Sequence, residues 1–263
     1  MDLLRQQLAD FLNPAVPTAT HKRTRRVREN SISSTSRLSS KKLGRTVHAE
    51  SFLEHRVLTL LEFDPRVTRY LEQGICVPWR DSRGGVHQYM PDVVVAFHPL
   101  LPVHRFAVTA YEVKPLAILR EGWHELAPKY RAVRAVLKRY GVRFRLLTEQ
   151  QAPLLLAQNV SFLLGYRQGT NDLSPSLHAL NARMHELLCI PEKPVTPSRT
   201  VGCLSEEERP RALADLWRLV GQGAWHIDLT QPITMNSVLT PIRDLTDSAF
   251  SFPQWIQTHD WHR

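Results

Sequence analysis

Between residues 47 and 150 the apolar spacing switches repeatedly between a helical period and a strand period. Leu53, Val57, Leu60 and Leu61 recur at three- and four-residue spacing, which predicts a helix over Phe52 to Phe63, stopped by Asp64-Pro65. Ile75, Val77 and Trp79 alternate. Asp81-Ser82-Arg83-Gly84-Gly85 then supplies turn chemistry, and Val86 to Met90 returns as a second strand. Asp92 to Phe97, a short β-branched run, follows Pro91. Phe106 to Lys114 forms another strand, on which Phe106, Val108, Ala110, Glu112 and Lys114 share one face. Trp123, Leu126, Tyr130, Val133, Leu137 and Tyr140 mark an amphipathic helix closed by Gly141, and Val142, Phe144 and Leu146 alternate in a last strand. The expected class is α/β, a mixed sheet flanked by helices.

A second region opens at Ala152-Pro153, so the expected division is an arm over 1–46, a first domain over 47–150 and a second over 151–263. Leu177, Leu180, Met184, Leu187 and Leu188 predict a helix within Ser174 to Ile190, and Pro191, Pro194 and Pro197 form a linker. Ser205-Glu206-Glu207-Glu208 reads as a capping box leading into Leu213, Leu216, Trp217 and Val220. Ala224 to Thr230 is an expected strand and Met235 to Leu245 an expected short helix, an order compatible with a small winged-helix module. Phe252, Trp255 and Trp261 either anchor a partner or pack back on the domain. At the other end, Leu3, Leu4, Leu8, Phe11 and Leu12 line one face of a short helix ended by Pro14.

Composition places the 263-residue chain among ordinary globular proteins, with 43% hydrophobic and 22% charged residues. No apolar run reaches the length of a membrane helix, no signal-peptide pattern opens the sequence, and Cys76, Cys189 and Cys203 lie far apart, so a cytoplasmic location is expected. The formal charge of +9 is concentrated: His21 to Arg45 carries nine cations, Lys22, Arg23, Arg25, Arg26, Arg28, Arg37, Lys41, Lys42 and Arg45, against the one anion Glu29. Interleaved serines and few apolar residues predict a mobile arm, either a DNA-backbone contact or a solubilising tail. The histidines form no metal-ligand pattern, and with no phosphate-loop glycine motif ATP binding is not expected.

The candidate chemistry lies where polar residues interrupt the apolar strands. Asp92 opens one strand, and Glu112 and Lys114 point the same way from another. If those strands are neighbours the three side chains converge. Adjacent carboxylates repel and are readily stabilised by a hard divalent cation such as Mg²⁺, with Mn²⁺ as a substitute, while an ammonium orients water or offsets developing charge. Glu54 reads equally as a fourth member or as the carboxylate of a capping box, Ser51-x-x-Glu54.

Ser51-Phe52-Leu53-Glu54, Phe63-Asp64-Pro65-Arg66-Val67-Thr68-Arg69-Tyr70, Gln73, Tyr89-Met90-Pro91-Asp92, Tyr111-Glu112-Val113-Lys114-Pro115 and Leu146-Leu147-Thr148-Glu149 together resemble the TnsA endonuclease family of heteromeric transposases over about 50 to 150. The resemblance implies a restriction-endonuclease-like PD-(D/E)XK fold. It also implies cleavage of the 5′ strands at transposon ends beside a TnsB-type transposase, and docking to a TnsC-type AAA+ regulator through a winged-helix-like C-terminal half. By the same resemblance Glu54, Asp92, Glu112 and Lys114 are the catalytic set. Glu54, Asp92, Glu112 and the Val113 carbonyl are then the metal ligands, and Gln73 is an active-site neighbour. Two other readings compete: a stand-alone restriction or repair nuclease, and a DNA-binding assembly factor whose nuclease domain is only a scaffold.

Overall fold

The computed structural model describes residues 2–13, 36–98, 107–167, 175–190 and 193–242. The chain divides into two compact units that part between Pro153 and Leu154. The cations Lys22, Arg23, Arg25, Arg26 and Arg28, and the aromatics Phe252, Trp255 and Trp261, lie outside the described residues.

In the first unit, helix α1 (Leu3–Leu12) precedes a hairpin of β1 (Ser36–Ser40) and β2 (Arg45–Ala49), followed by helix α2 (Phe52–Phe63). Next come β3 (Val67–Glu72), a second hairpin of β4 (Val77–Arg80) and β5 (Val86–Tyr89), then β6 (Val93–Phe97) and β7 (Val108–Val113). Helix α3 (Leu116–Arg139) crosses over to β8 (Val142–Leu147). The main sheet has the order β3-β6-β7-β8, with β6 antiparallel to both β3 and β7, and β8 parallel to β7. Every residue of β6 and β7 is buried, which accounts for the continuous apolar run of β6.

One face of that sheet presents Val94, Ala96, Val108, Ala110, Val142, Phe144 and Leu146 to Leu119, Tyr130, Val133 and Leu137 of α3. Leu4, Leu8 and Phe11 of α1 join the same core. The leading helix is therefore held by tertiary burial, which so short a helix requires. Helix α2 packs with β1, β2, β3 and β7.

The hairpin β1–β2 corrects the expectation of a mobile arm through residue 46. Its polar residues are tied to partners distant in sequence. The buried Glu62 carboxylate accepts from the Ser40 hydroxyl at 2.6 Å and from the Lys41 and Lys42 N–H groups at 2.9 and 3.2 Å. The Lys42 ammonium donates to the Leu61 and Val67 carbonyls, both at 2.8 Å, closing the C-terminus of α2. Arg45 makes a two-pronged bond to Glu72, both contacts at 2.6 Å. Arg37 and Lys41 are exposed.

The second unit contains α4 (Leu154–Tyr166), α5 (Pro175–Leu188), α6 (Pro197–Val201), α7 (Arg209–Gln222), β9 (Trp225–Ile227) and β10 (Leu239–Pro241). Strands β9 and β10 pair antiparallel, and Val195 adds a bridge to Leu239. Two sequence expectations are corrected. Pro191 lies outside the described residues, and residues 193–197 do not run as a bare linker, because Thr196 caps α6 by accepting from the Arg199 N–H at 3.2 Å. Residues 235–242 are turn and strand rather than helix, and the rest of the expected helix, to Leu245, lies outside the described residues. The Leu239 N–H donates to the Val195 carbonyl at 2.8 Å, and Thr234 and Ser237 close a turn.

Candidate active site

The last residues of β7 and the residue before β6 meet at one end of the central sheet. Val93 pairs with Tyr111, so the next step of the antiparallel register sets Asp92 opposite Glu112. The two-residue alternation then places both on the face occupied by Val94, Ala96 and Ala110, the face covered by α3. Pro91 cannot donate to a ladder, and strand pairing in β6 begins only at Val93.

Asp92 is half-buried, and its Oδ2 accepts the Val113 N–H at 2.6 Å. Burial raises its pKa well above the ordinary carboxylate value; the charges of Glu112 and Glu54 add to the rise, against the Val113 N–H and Lys114. Glu112 is 4% exposed and fully engaged. Its Oε2 accepts a short bond from the Tyr89 hydroxyl, and its Oε1 accepts the Tyr130 hydroxyl at 3.1 Å and faces Lys114 Nζ at 3.2 Å. Burial works against the Lys114 ammonium, but Glu112, then Asp92 and Glu54, outweigh it, and the net shift is upward. Lys114 is therefore held as a cation. Burial also pushes both tyrosine hydroxyls upward, reinforced by the Glu112 charge, so they stay protonated and can donate.

Glu54 forms the capping box that its spacing from Ser51 suggests. Its N–H donates to Ser51 Oγ at 3.1 Å, and its carboxylate accepts the Ser51 hydroxyl at 3.0 Å and the Glu50 N–H at 2.9 Å, which makes a capping box. Its pKa is nonetheless raised, first by burial and then by the charges of Glu50 and Glu112, so it shares the field of the other acids. Gln73 lies beside them. Its N–H donates to the Asp92 carbonyl at 3.0 Å, and its side chain donates to Glu50 at 2.9 Å. With φ at +48° it is the one non-glycine residue with positive φ among the described residues, and its Oε1 is buried without a partner. A strained backbone of this kind persists only where surrounding contacts over-determine it.

The site thus brings together Asp92, Glu112 and Lys114, with Glu54 in their field and Gln73 holding the backbone of Asp92. Residues 64–149 match a family model described as TnsA-like endonuclease N terminal. This segment is similar to the N-terminal domain of TnsA-like endonucleases. The match takes in Gln73, Asp92, Glu112, Val113 and Lys114 and begins ten positions after Glu54, as 64 − 54 = 10. No curated protein matches the chain.

Three neighbours of the acid cluster carry no signal in the sequence. Tyr130 carried an apolar helical stripe, and nothing local marks its hydroxyl as a donor to Glu112. Tyr89 ends β5, three positions before Asp92, as 92 − 89 = 3, and only the strand pairing turns it toward Glu112. Lys129 sits on α3 with its ammonium 5.2 Å from the Tyr89 ring centre and 4.8 Å from that of Tyr130.

The donors gathered here are all oxygens, three carboxylates with Lys114 paired to one of them, and the Glu112 charge raises the proton affinity of Asp92 and Glu54; that chemistry fits a hard divalent cation. As they stand, no three or more His, Cys, Asp and Glu side chains among the described residues are gathered to hold an ion. Glu54 and Glu112 are occupied by hydrogen bonds, while Asp92 bonds through Oδ2 only. No helix among the described residues is long and apolar enough to cross a membrane.

Proposed function

We propose that the chain is the metal-dependent DNA endonuclease subunit of a heteromeric transposase, cutting the 5′ strands at transposon ends beside a TnsB-type transposase. One observation carries the reading. Asp92, the residue before β6, stands opposite Glu112 of β7 by continuation of the strand register, with Lys114 ion-paired to Glu112, inside the segment that matches the endonuclease family.

Asp92, Glu112, Glu54 and the Val113 carbonyl would hold Mg²⁺, with Mn²⁺ able to substitute. When bound, the cation polarises the phosphodiester and lowers the pKa of a water. The chain's own groups do the rest. The Val113 N–H fixes the orientation of Asp92, and the Tyr89 and Tyr130 hydroxyls fix Glu112. Lys114, kept cationic, orients the attacking water and offsets charge that develops on the phosphate oxygens. Cleavage leaves a 5′ phosphate and a 3′ hydroxyl.

The second unit supports a partner-docking role. Its order, two helices, a bridging residue, two helices and a two-stranded ribbon, suits a winged-helix-like module that would meet a TnsC-type AAA+ regulator. The complex would act on the nucleoid in the cytoplasm.

The test is a strand-resolved cleavage assay on a transposon-end duplex, with and without the partner transposase. Asp92→Ala and Lys114→Ala should each abolish 5′-strand cleavage while 3′-strand joining persists. Unchanged 5′ cleavage in both variants refutes the assignment, and cutting of plain duplex by the chain alone replaces it with a stand-alone nuclease.

A further inference from the structure

Lys114 is not the only ammonium beside the acid cluster. Lys129 lies on α3 one residue before Tyr130, half-buried, with its Nζ over the rings of both tyrosines that donate to Glu112. Glu112, Asp92 and Lys114 all act on it electrostatically. Yet among the described residues no carboxylate pairs with it and no acceptor takes its N–H donors. The neighbouring cation Lys114 is already committed to Glu112 at 3.2 Å.

We propose that Lys129 is a substrate-contacting residue of this site, its ammonium binding a phosphate oxygen of the DNA strand that enters the acid cluster. The proposal rests on the endonuclease reading above and extends it. Three carboxylates are only balanced by Lys114 and a bound divalent cation together, so attraction of a phosphodiester calls for a further positive charge beside the cluster. Lysine suits this as a point charge with donors in several directions. The two rings hold the ammonium in place through their negative faces without consuming an N–H, which leaves its hydrogen-bonding capacity for a ligand. A purely structural role, as a cationic staple between Tyr89 and Tyr130, is the competing account.

The experiment measures binding of the full chain to a fluorescein-labelled DNA duplex, in Ca²⁺ buffer across a salt series, for the wild type, Lys129→Gln, Lys129→Met and Lys129→Arg. Thermal melting is followed for each. The expected result is affinity about tenfold weaker for Gln and Met at low salt, with the slope of log affinity against log salt shallower by about 0.9, the signature of one lost phosphate contact. Arg restores both, the melting temperature stays near wild type, and KM for cleavage rises more than kcat falls. An unchanged salt slope in Gln and Met, with or without lowered melting, overturns the proposal in favour of the staple. If the wild type cleaves DNA and the slope does not move, only the Lys129 assignment fails. If the wild type neither binds nor cleaves duplex, alone or with its partner transposase, the endonuclease reading fails and takes this proposal with it.

Discussion

The Tyr130 hydroxyl donates to Glu112 Oε1 at 3.1 Å, joining the middle of α3 to the end of β7. With the Tyr89 bond to Oε2, it leaves neither oxygen of this buried carboxylate without a donor. A buried charge that loses such a donor keeps its desolvation cost, about 1.5–3 kcal/mol for a bond to a charged group. Tyr130→Phe and Tyr89→Phe should each lower unfolding free energy by about that amount in urea titrations. The double variant should depart from additivity, because both act on one acceptor. Full additivity with wild-type cleavage would show that the tyrosines do not orient Glu112.

Asp92 is costly in the opposite sense. Its raised pKa means the folded state holds its proton more tightly than the unfolded chain does, so ionising it destabilises the fold. That loss is absent below about pH 4, the ordinary carboxylate range, grows as pH rises toward the raised value, and is complete above it. Asp92→Asn retains an oxygen for the Val113 N–H and removes the charge. Without divalent metal near neutral pH it should be more stable than wild type by about 1 kcal/mol, with the gain vanishing in acid, while 5′ cleavage is lost. Stability curves of equal height at neutral pH would contradict the placement of a strained anion there.

Lys42 looked, from charge alone, like one more cation of a DNA-binding arm; its ammonium instead donates to the Leu61 and Val67 carbonyls at 2.8 Å. Lys42→Met should cost about 2 kcal/mol in chemical denaturation, whereas Arg37→Ala, at an exposed position, should cost less than about 0.5 kcal/mol. Equal effects would mean that the helix end does not depend on this lysine.

That contrast shows what local pattern conveys and what it omits. Helix α2 runs over Phe52–Phe63, as its apolar spacing indicates, and β6, β7 and β8 follow their β-branched or alternating runs, because these elements bury faces defined by their own periodicity. Strand β3 has buried and half-exposed positions without alternation, and α4 is apolar almost all round, so neither carries a period that identifies it. The hairpin β1–β2 depends on Glu62 and Glu72, which its own composition does not reveal. At the site, Asp92, Glu112 and Lys114 stood out because each interrupts an apolar strand. Tyr89, Tyr130 and Lys129 conform to the pattern around them, and only the sheet register and the path of α3 bring them together.

In the second unit the corresponding anchor is Trp225. It is fully buried at the start of β9; its indole N–H donates to Asn181 Oδ1 of α5 at 2.7 Å, and its ring lies 5.1 Å from that of His185. Trp225→Ala removes a large buried side chain and strands an amide oxygen, for an expected cost of about 3–5 kcal/mol. Hydrogen exchange should show lost amide protection in α5 and α7, the helices that pack with each other, with α7 also packing on β9. If the second unit is the surface that recruits a regulator, this variant should also lose partner binding, while Asn181→Ala, which breaks only the hydrogen bond, should retain it at a cost of about 1–2 kcal/mol. Unchanged protection in α5 and α7 on losing the indole would show that the ribbon and these helices do not share a core.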